Sequence, residues 1–331
     1  MKKILIILLF FLCVKVNASI VVMDADSGRV LYSENMNERK LIASTTKIMT
    51  SIIALENGNL EDIFKAGREI REVNGSMIYI KENESMSLND LLYGLMLRSG
   101  NDAAMVIANN VLGYDNFIAQ MNIKAFKLGM NYTTFENPHG LNDNTKNYST
   151  AYDLSLLMKY AINNEEFLKI TSTKKYKDWY NKNELLSDYK YLISGKIGYT
   201  QKSGQVFVSA ARKNNKTLII SSIDEGDKFN LHKKLYEKYF EMYDKYKILN
   251  KYTFSFKVKN KNNNHYFILD DFDMLMKKDE IDKLKIEADL DNEYVLVYLS
   301  NKLIHTEKLY KNTYNLTKRS KLKELLSFFK F

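Results

Sequence analysis

The sequence predicts an α/β chain, with β-hairpins and amphipathic helices in one large domain and a small strand-rich domain after it. Three observations predict this. The 331 residues exceed one small domain, and 45% are apolar, enough for a sizeable core. Apolar residues recur at helical spacing in several stretches between residues 46 and 246, separated by hairpin patterns. Composition then shifts near Asn250, and residues 251–315 read as strands without a helical stripe.

Taken in order, "MKKILIILLFFLCVKVNA" (1–18) has two lysines, an apolar run and a small-residue end, the pattern of an export leader. An uncleaved N-terminal anchor is the other reading, although the run is short for a bilayer. Cys13 is the only cysteine, and the bulky Leu12 before it argues against lipoprotein processing. A mature chain would hold no cysteine, hence no disulfide and no thiolate chemistry. The four histidines lack H-E-x-x-H spacing, so no metal site and no cofactor is expected.

"SIVVMDADSGRVLYSEN" reads as a hairpin turning at Asp26-Ser27-Gly28. From Thr46, the spacing of Ile48, Ile52 and Leu55 predicts a helix ended by Gly58. "SLNDLLYGLMLRSGNDAAMVIANNVLG" predicts two helices broken at Ser99-Gly100-Asn101, and a capped helix starts near Ser149 or Thr150. Next come a short strand around Lys196 and a hairpin with strands near 205–211 and 217–223. A further helix fits 226–246. The last residues, 316–331, form an amphipathic tail, with Leu322, Leu325, Leu326 and Phe329 on one face.

The formal charge of +9 falls to +6 without Lys2, Lys3 and Lys15. Residues 301–331, with eight Lys/Arg and two acids, carry that same +6. An exported chain with a basic tail suggests an anionic membrane surface rather than nucleic acid.

Three small patterns bear on chemistry. Ser44 and Lys47 form an S-x-x-K tetrad, which puts a hydroxyl and an amine one turn apart. A neutral lysine there can take the serine proton. The tetrad also occurs at Ser172, Ser187, Ser320 and Ser327, and Ser44 alone reads as well as a helix N-cap. Ser99-Gly100-Asn101 lies in a helix break, where side chains can project into a cleft or merely cap a helix. Lys196-Ile197-Gly198 sits on a strand. Its lysine is a second cation or an edge guard, and its glycine permits close backbone approach.

The order of these elements matches the active-site serine penicillin-recognising enzymes, whose motifs are S-x-x-K, S-D-N and K-T-G. With "ASTTKIMT", "LLYGLMLRSGNDAA", "FENPHGLNDNT", "YSTAYDLSLLMKYA", "GKIGYTQKSG" and "DKFNLHKKLYEKYF", the stretch from Ile20 to Tyr243 resembles the low-molecular-mass penicillin-binding proteins that are D-alanyl-D-alanine carboxypeptidases. The resemblance implies a β-lactamase/transpeptidase-like fold over 19–246, a central antiparallel sheet flanked by helices, with a small β domain over 251–315.

It also implies roles. Ser44 would be the acylated nucleophile and Lys47 its base. Ser99 would relay protons, Asn101 would hold the substrate amide, and Lys196 would polarise the cleft. The backbone N–H groups of Ser44 and Tyr199 would form the oxyanion hole. Ile197, Gly198, Tyr199, Thr200 and Lys228 would bind substrate, and Pro138 and His139 would be structural. Substrates would be peptidoglycan stem pentapeptides, and β-lactam antibiotics would bind covalently. The protein would be exported and peripheral on the outer face of the cytoplasmic membrane.

Two positions depart from the family. Ile197 stands where K-T-G has a hydroxyl residue, and Lys228 stands where an arginine is usual. Both fall on recognition of the substrate carboxylate. They keep open a D,D-endopeptidase that cuts cross-links, and a catalytically weakened wall-binding protein.

Overall fold

The computed structural model describes residues 18–143, 146–251 and 265–312. The expected leader, except Ala18, and the amphipathic tail lie outside them. Two compact units divide between Tyr239 and Phe240.

The first unit is built on a five-stranded antiparallel sheet. Its strands are β1 (Ser19–Asp24), β2 (Val30–Glu34), β3 (Leu192–Thr200), β4 (Gly204–Lys213) and β5 (Lys216–Ile223), in the spatial order β2-β1-β5-β4-β3. Val22 pairs with Ile220, and Val208 pairs with both Ser221 and Lys196. The first hairpin turns at Asp26–Gly28 as expected, where Gly28 takes a positive φ of 78°.

The central strands are buried on both faces, so they read as apolar runs rather than alternations. One face, with Val21, Met23, Val206, Val208 and Ile219, joins the main core. There it meets helices α1 (Lys47–Asn57), α2 (Leu88–Tyr93), α3 (Asn101–Val111), α4 (Tyr114–Lys127), α5 (Ala151–Ala161) and α6 (Glu165–Ser172). The other face carries Phe207 and Ser209 against α7 (Lys228–Met242), through His232 and Tyr236. α1 ends at Gly58 as expected, and Thr150 caps α5 by accepting from the Asp153 N–H. α7 stops at Met242, four residues short of expectation.

The second unit starts earlier than the composition shift suggests. Strand β6 (Asp244–Leu249) already pairs with β8 (Phe272–Met276), while β7 (His265–Phe267) pairs with β12 (Tyr310–Asn312). A meander of β9 (Leu284–Asp289), β10 (Tyr294–Leu299) and β11 (Lys302–Lys308) completes it. Its own small core includes Leu249, Ile268, Met274, Val295, Val297 and Leu309.

Candidate active site

Ser44 lies in a 3₁₀ turn, Ala43–Thr46, that runs directly into α1. Three residues per turn eclipse positions i and i+3, so this turn stacks Ser44 over Lys47 more closely than an α-helix would. Ser44 does not cap the helix. Its Oγ lies 3.1 Å from Lys47 Nζ, and the α1 cap residue is Thr46. Ala43, just before Ser44, has a φ of 45°, a left-handed conformation that costs about 1–3 kcal/mol for a non-glycine residue.

Lys47 is fully buried and holds three short contacts. Its Nζ donates to Asn101 Oδ1 at 2.7 Å and to the His139 carbonyl at 2.6 Å. Asn101 Nδ2 donates to the Asn74 carbonyl at 2.6 Å, which fixes the amide so that its oxygen faces the lysine. Both Lys47 acceptors are therefore obligate. A neutral amine has two N–H groups for them, and its lone pair remains for the Ser44 hydroxyl. Burial, then the nearby Lys196 and Lys182, hold the Lys47 pKa well below its ordinary value.

The His139 carbonyl is aimed by its loop. Asn137 Oδ1 accepts from the N–H groups of His139 (3.1 Å) and Gly140 (2.6 Å). Gly140 has a φ of 90°, and a Cβ there would stand 1.9 Å from the Ala43 carbonyl oxygen, so only glycine fits. The structural role expected of Pro138 and His139 takes the form of backbone carbonyls. The Pro138 carbonyl accepts from Thr50 Oγ1 at 2.6 Å, one turn beyond Lys47.

The break between α2 and α3 is a π-helical turn, Gly94–Arg98, ended by Ser99 at φ 63°. That left-handed residue turns its hydroxyl towards Lys196, whose Nζ donates to Ser99 Oγ at 3.1 Å and to the Ile197 carbonyl at 3.0 Å. Burial, then Lys182, lowers the Lys196 pKa to about 7. Asp102, in the first turn of α3, accepts from the Ile78 and Ile80 N–H groups at 3.1 Å, and the Asn101 N–H donates to the Ser76 carbonyl at 2.8 Å. Together they hold the loop that carries Ser76.

A cavity of about 230 Å³ opens between these elements. Ser44, Ser76, Ser99 and Lys182 line one side, and Ile197, Gly198, Tyr199, Gln205 and Lys228 line the other. Lys228 Nζ donates to Gln205 Oε1, and burial lowers its pKa. Thr200 is not in the lining. Its Oγ1 accepts from Asn142 Nδ2 at 3.1 Å and bonds Ser203 Oγ at 2.8 Å, within the β3–β4 turn.

Sequence reasoning missed Lys182 and Ser76, which bond each other at 3.0 Å, as well as Gly140 and Gln205. Only Gly140 carried a usable signal, as part of "NPHGL".

Comparison with known proteins assigns the fold and the family. The family model described as Peptidase_S11, D-alanyl-D-alanine carboxypeptidase, matches residues 15–226. D-alanyl-D-alanine carboxypeptidase DacF of Bacillus subtilis is 34% identical over 214 residues, 60% of this chain, but the match spans only about half (54%) of that relative. DacB2 of Mycobacterium tuberculosis is 34% identical over 210 residues, covering 61% of this chain and 72% of that protein. Among solved structures, penicillin binding protein 5 from Haemophilus influenzae aligns with a TM-score of 0.75 at 25% identity, over 88% of this chain and 95% of that one. By family model, relatives and fold together, this chain belongs to the Peptidase_S11 family of D-alanyl-D-alanine carboxypeptidases.

Proposed function

We propose that the protein is a serine D,D-carboxypeptidase that removes the terminal D-alanine from peptidoglycan stem pentapeptides through an acyl-enzyme on Ser44. The observation that carries this reading is the Lys47 environment. Its Nζ lies within hydrogen-bond distance of two fixed acceptors and of the Ser44 hydroxyl at 3.1 Å, and burial beside Lys196 and Lys182 favours the neutral amine, whose lone pair would face that hydroxyl. Such an amine is a ready general base. This also argues against the catalytically weakened alternative, because the departures at Ile197 and Lys228 leave the nucleophile pair untouched.

In this mechanism Ser44 attacks the D-alanyl carbonyl while Lys47 takes its proton. Ser99, bonded to Lys196, passes a proton to the departing amine. Lys196 and Lys228 supply the positive field that draws in the substrate's C-terminal carboxylate. Water then hydrolyses the ester. β-Lactams would acylate the same serine.

The test is direct. A fluorescent penicillin should label the protein, and a peptide ending in D-Ala-D-Ala should release D-alanine. Ser44→Ala should abolish both in a folded protein. Labelling that persists in Ser44→Ala would refute the assignment.

Export rests on the 1–18 leader pattern, and attachment to the outer face of the cytoplasmic membrane rests on the basic amphipathic tail. No described helix is long and apolar enough to cross a membrane. Salt-sensitive binding of the mature chain to anionic vesicles, lost on truncation after Asn315, is the expected result. A mature chain that ignores such vesicles at low salt would rule the anchor out.

A further inference from the structure

The carboxylate that follows Asn101 has no step in the proposed mechanism. Asp102 is fully buried in the first turn of α3, and backbone N–H groups satisfy it. The Ile78 N–H lies 3.1 Å from both of its oxygens, the Ile80 N–H lies 3.1 Å from Oδ2, and the Ala103 N–H lies 2.9 Å from Oδ1. Burying a carboxylate is costly unless donors meet it. Two of these three donors come from one segment, 74–80.

That segment is neither helix nor strand. Gly75 and Tyr79 take positive φ values of 77° and 65°, and a tyrosine stays in that conformation only where its surroundings impose it. The two N–H groups that reach Asp102 flank Tyr79. Gly100 leaves room for this clasp. A Cβ there would stand 3.0 Å from Asp102 Oδ1 and 3.3 Å from Ile78 Cγ2. Gly94, at the start of the π-helical turn, accommodates the same isoleucine, since a Cβ there would meet Ile78 Cδ1 at 2.6 Å. Asp102 and both glycines thus seat Ile78 against the turn that ends at Ser99.

The segment supplies two contacts to the cleft. The Asn74 carbonyl accepts from Asn101 Nδ2 at 2.6 Å, which leaves Asn101 Oδ1 to accept from Lys47 Nζ at 2.7 Å. Ser76 Oγ accepts from Lys182 Nζ at 3.0 Å. Asp102 also acts by its charge. Lys47 feels Lys196 from β3, Lys182 from its loop and Asp102 from α3, and it faces His139, which burial keeps neutral. Burial and the two lysines lower the Lys47 pKa, and Asp102 raises it.

Within the serine-acylation reading, on which this inference rests, we propose that Asp102 is a positioning residue. Its carboxylate clasps segment 74–80 to α3, so that Asn101 faces Lys47 and Ser76 faces Lys182. Its charge offsets the ammonium that forms beside two other cations when Lys47 takes the Ser44 proton.

The test measures penicillin acylation of the mature chain against pH, for wild type, Asp102→Asn and Asp102→Ala, with thermal melts to check folding. Trp179 is the sole tryptophan and lines a groove with Met77, Ile78 and Tyr79, so its emission reports where the segment sits. Asp102→Asn removes the charge and keeps one oxygen that can accept. Its acid limb should move to lower pH, the direction opposite to the loss of a cation, and its plateau should fall about tenfold as the base weakens. Asp102→Ala removes the clasp as well. It should acylate about 10²-fold more slowly, the order that misplacing a reacting group by an ångström costs, and its Trp179 emission should shift. If Asp102→Ala does not fold, the limb of Asp102→Asn decides alone. A merely structural aspartate would lower the melting temperature and leave limb and emission in place, and that result would overturn the inference. Wild-type acylation in a folded Asp102→Ala would overturn it too, with the acylation reading left standing. A wild type that takes up no penicillin would remove both.

Discussion

Gly198 and Ser44 stand so close that a methyl group on Gly198 would lie 2.9 Å from the Ser44 backbone nitrogen. The same methyl would meet the Ala43 Cβ at 3.1 Å and the Ile42 carbonyl oxygen at 3.2 Å. Glycine here allows the edge strand to sit against the 3₁₀ turn that carries Ser44. In the proposed mechanism the Ser44 and Tyr199 backbone N–H groups would hold the oxyanion, and this close approach of strand and turn would set their spacing.

Gly198→Ala should therefore slow penicillin acylation by about 10²–10³-fold, the effect typical of losing one oxyanion donor. The turn or the strand must shift, at a stability cost of about 1–3 kcal/mol. Gly226→Ala is the matched control, since a Cβ there meets nothing within 4 Å. Acylation rates and thermal melts would be measured on both. Unchanged acylation in Gly198→Ala would show that the contact does not set the reactive geometry.

Lys182 acts on Lys47 and Lys196 through its field. It lowers the pKa of Lys196, after burial, and that of Lys47, after burial and Lys196. Removing a positive neighbour favours the protonated lysines, so the base form would appear only at higher pH. Lys182→Met should move the acid limb of the acylation profile upward, with a several-fold loss at pH 7 that recovers on alkalinisation. Lys182→Arg should keep the wild-type profile. Ser76→Ala separates the charge from the hydrogen bond, because it removes the Lys182 partner and keeps the cation. A limb that stays in place in Lys182→Met would discount the field.

The residues legible in the sequence and those hidden from it differ in kind. Ser44 with Lys47 and Ser99 with Asn101 are pairs close in sequence at the starts of helices, and Lys196 sits on strand β3, so spacing and order single them out. Lys182 reaches the cleft from a loop that bonds back to the α2–α3 break, with its N–H donating to the Leu97 carbonyl at 3.1 Å. No local pattern announces such a contact. The break at Ser99 was legible, but its left-handed conformation was not, because the π-helical turn before it continues the apolar spacing of α2. The sheet was readable because its hairpins are local. The unit boundary was misread near Asn250 because "DKYKIL", now strand β6, continues the charged and aromatic character of the helix before it.

His232 links helix α7 to the sheet behind the cleft. Its Nδ1 lies 2.8 Å from Ser209 Oγ and its Nε2 lies 2.9 Å from Ser222 Oγ, and all three residues are fully buried. Burial, then Lys228, lowers its pKa to about 3, and His139 is lowered to about 3 by burial and Lys47. Above the unfolded value of about 6.5, both states are neutral and the groups contribute no pH dependence. Below it the unfolded chain binds protons that the native state does not. Stability therefore falls as pH drops from about 6.5 towards 3, by about 2 kcal/mol per histidine at pH 5. His232→Gln should lower the melting temperature at pH 7.5, because at least one serine loses its partner. It should also remove about half of the histidine-driven loss between pH 6.5 and 5. Thermal melts across that range check both; a slope identical to wild type would mean that His232 does not titrate between the two states.

Ile197 lines the cavity beside Lys228 and Gln205, where the substrate carboxylate is expected. An isoleucine side chain cannot donate a hydrogen bond, so in the proposed mechanism the carboxylate would depend on Lys196, Lys228 and water. A hydrogen bond to a charged group contributes about 1.5–3 kcal/mol, and every 1.4 kcal/mol is roughly tenfold. Isoleucine and threonine are both branched at Cβ, so strand β3 should accept the exchange with its pairing to Phe207 intact. Ile197→Thr should therefore raise kcat/KM on a peptide ending in D-Ala-D-Ala by about ten- to hundredfold. The same peptide ending in a C-terminal amide should gain far less, since the new hydroxyl meets no full charge there. Steady-state rates on both peptides, for wild type and variant in parallel, decide the matter. An unchanged rate on the free acid, in a folded variant that still takes up penicillin, would mean that another group already holds the carboxylate, with Lys228, fixed by Gln205, the first to examine by a Lys228→Arg exchange.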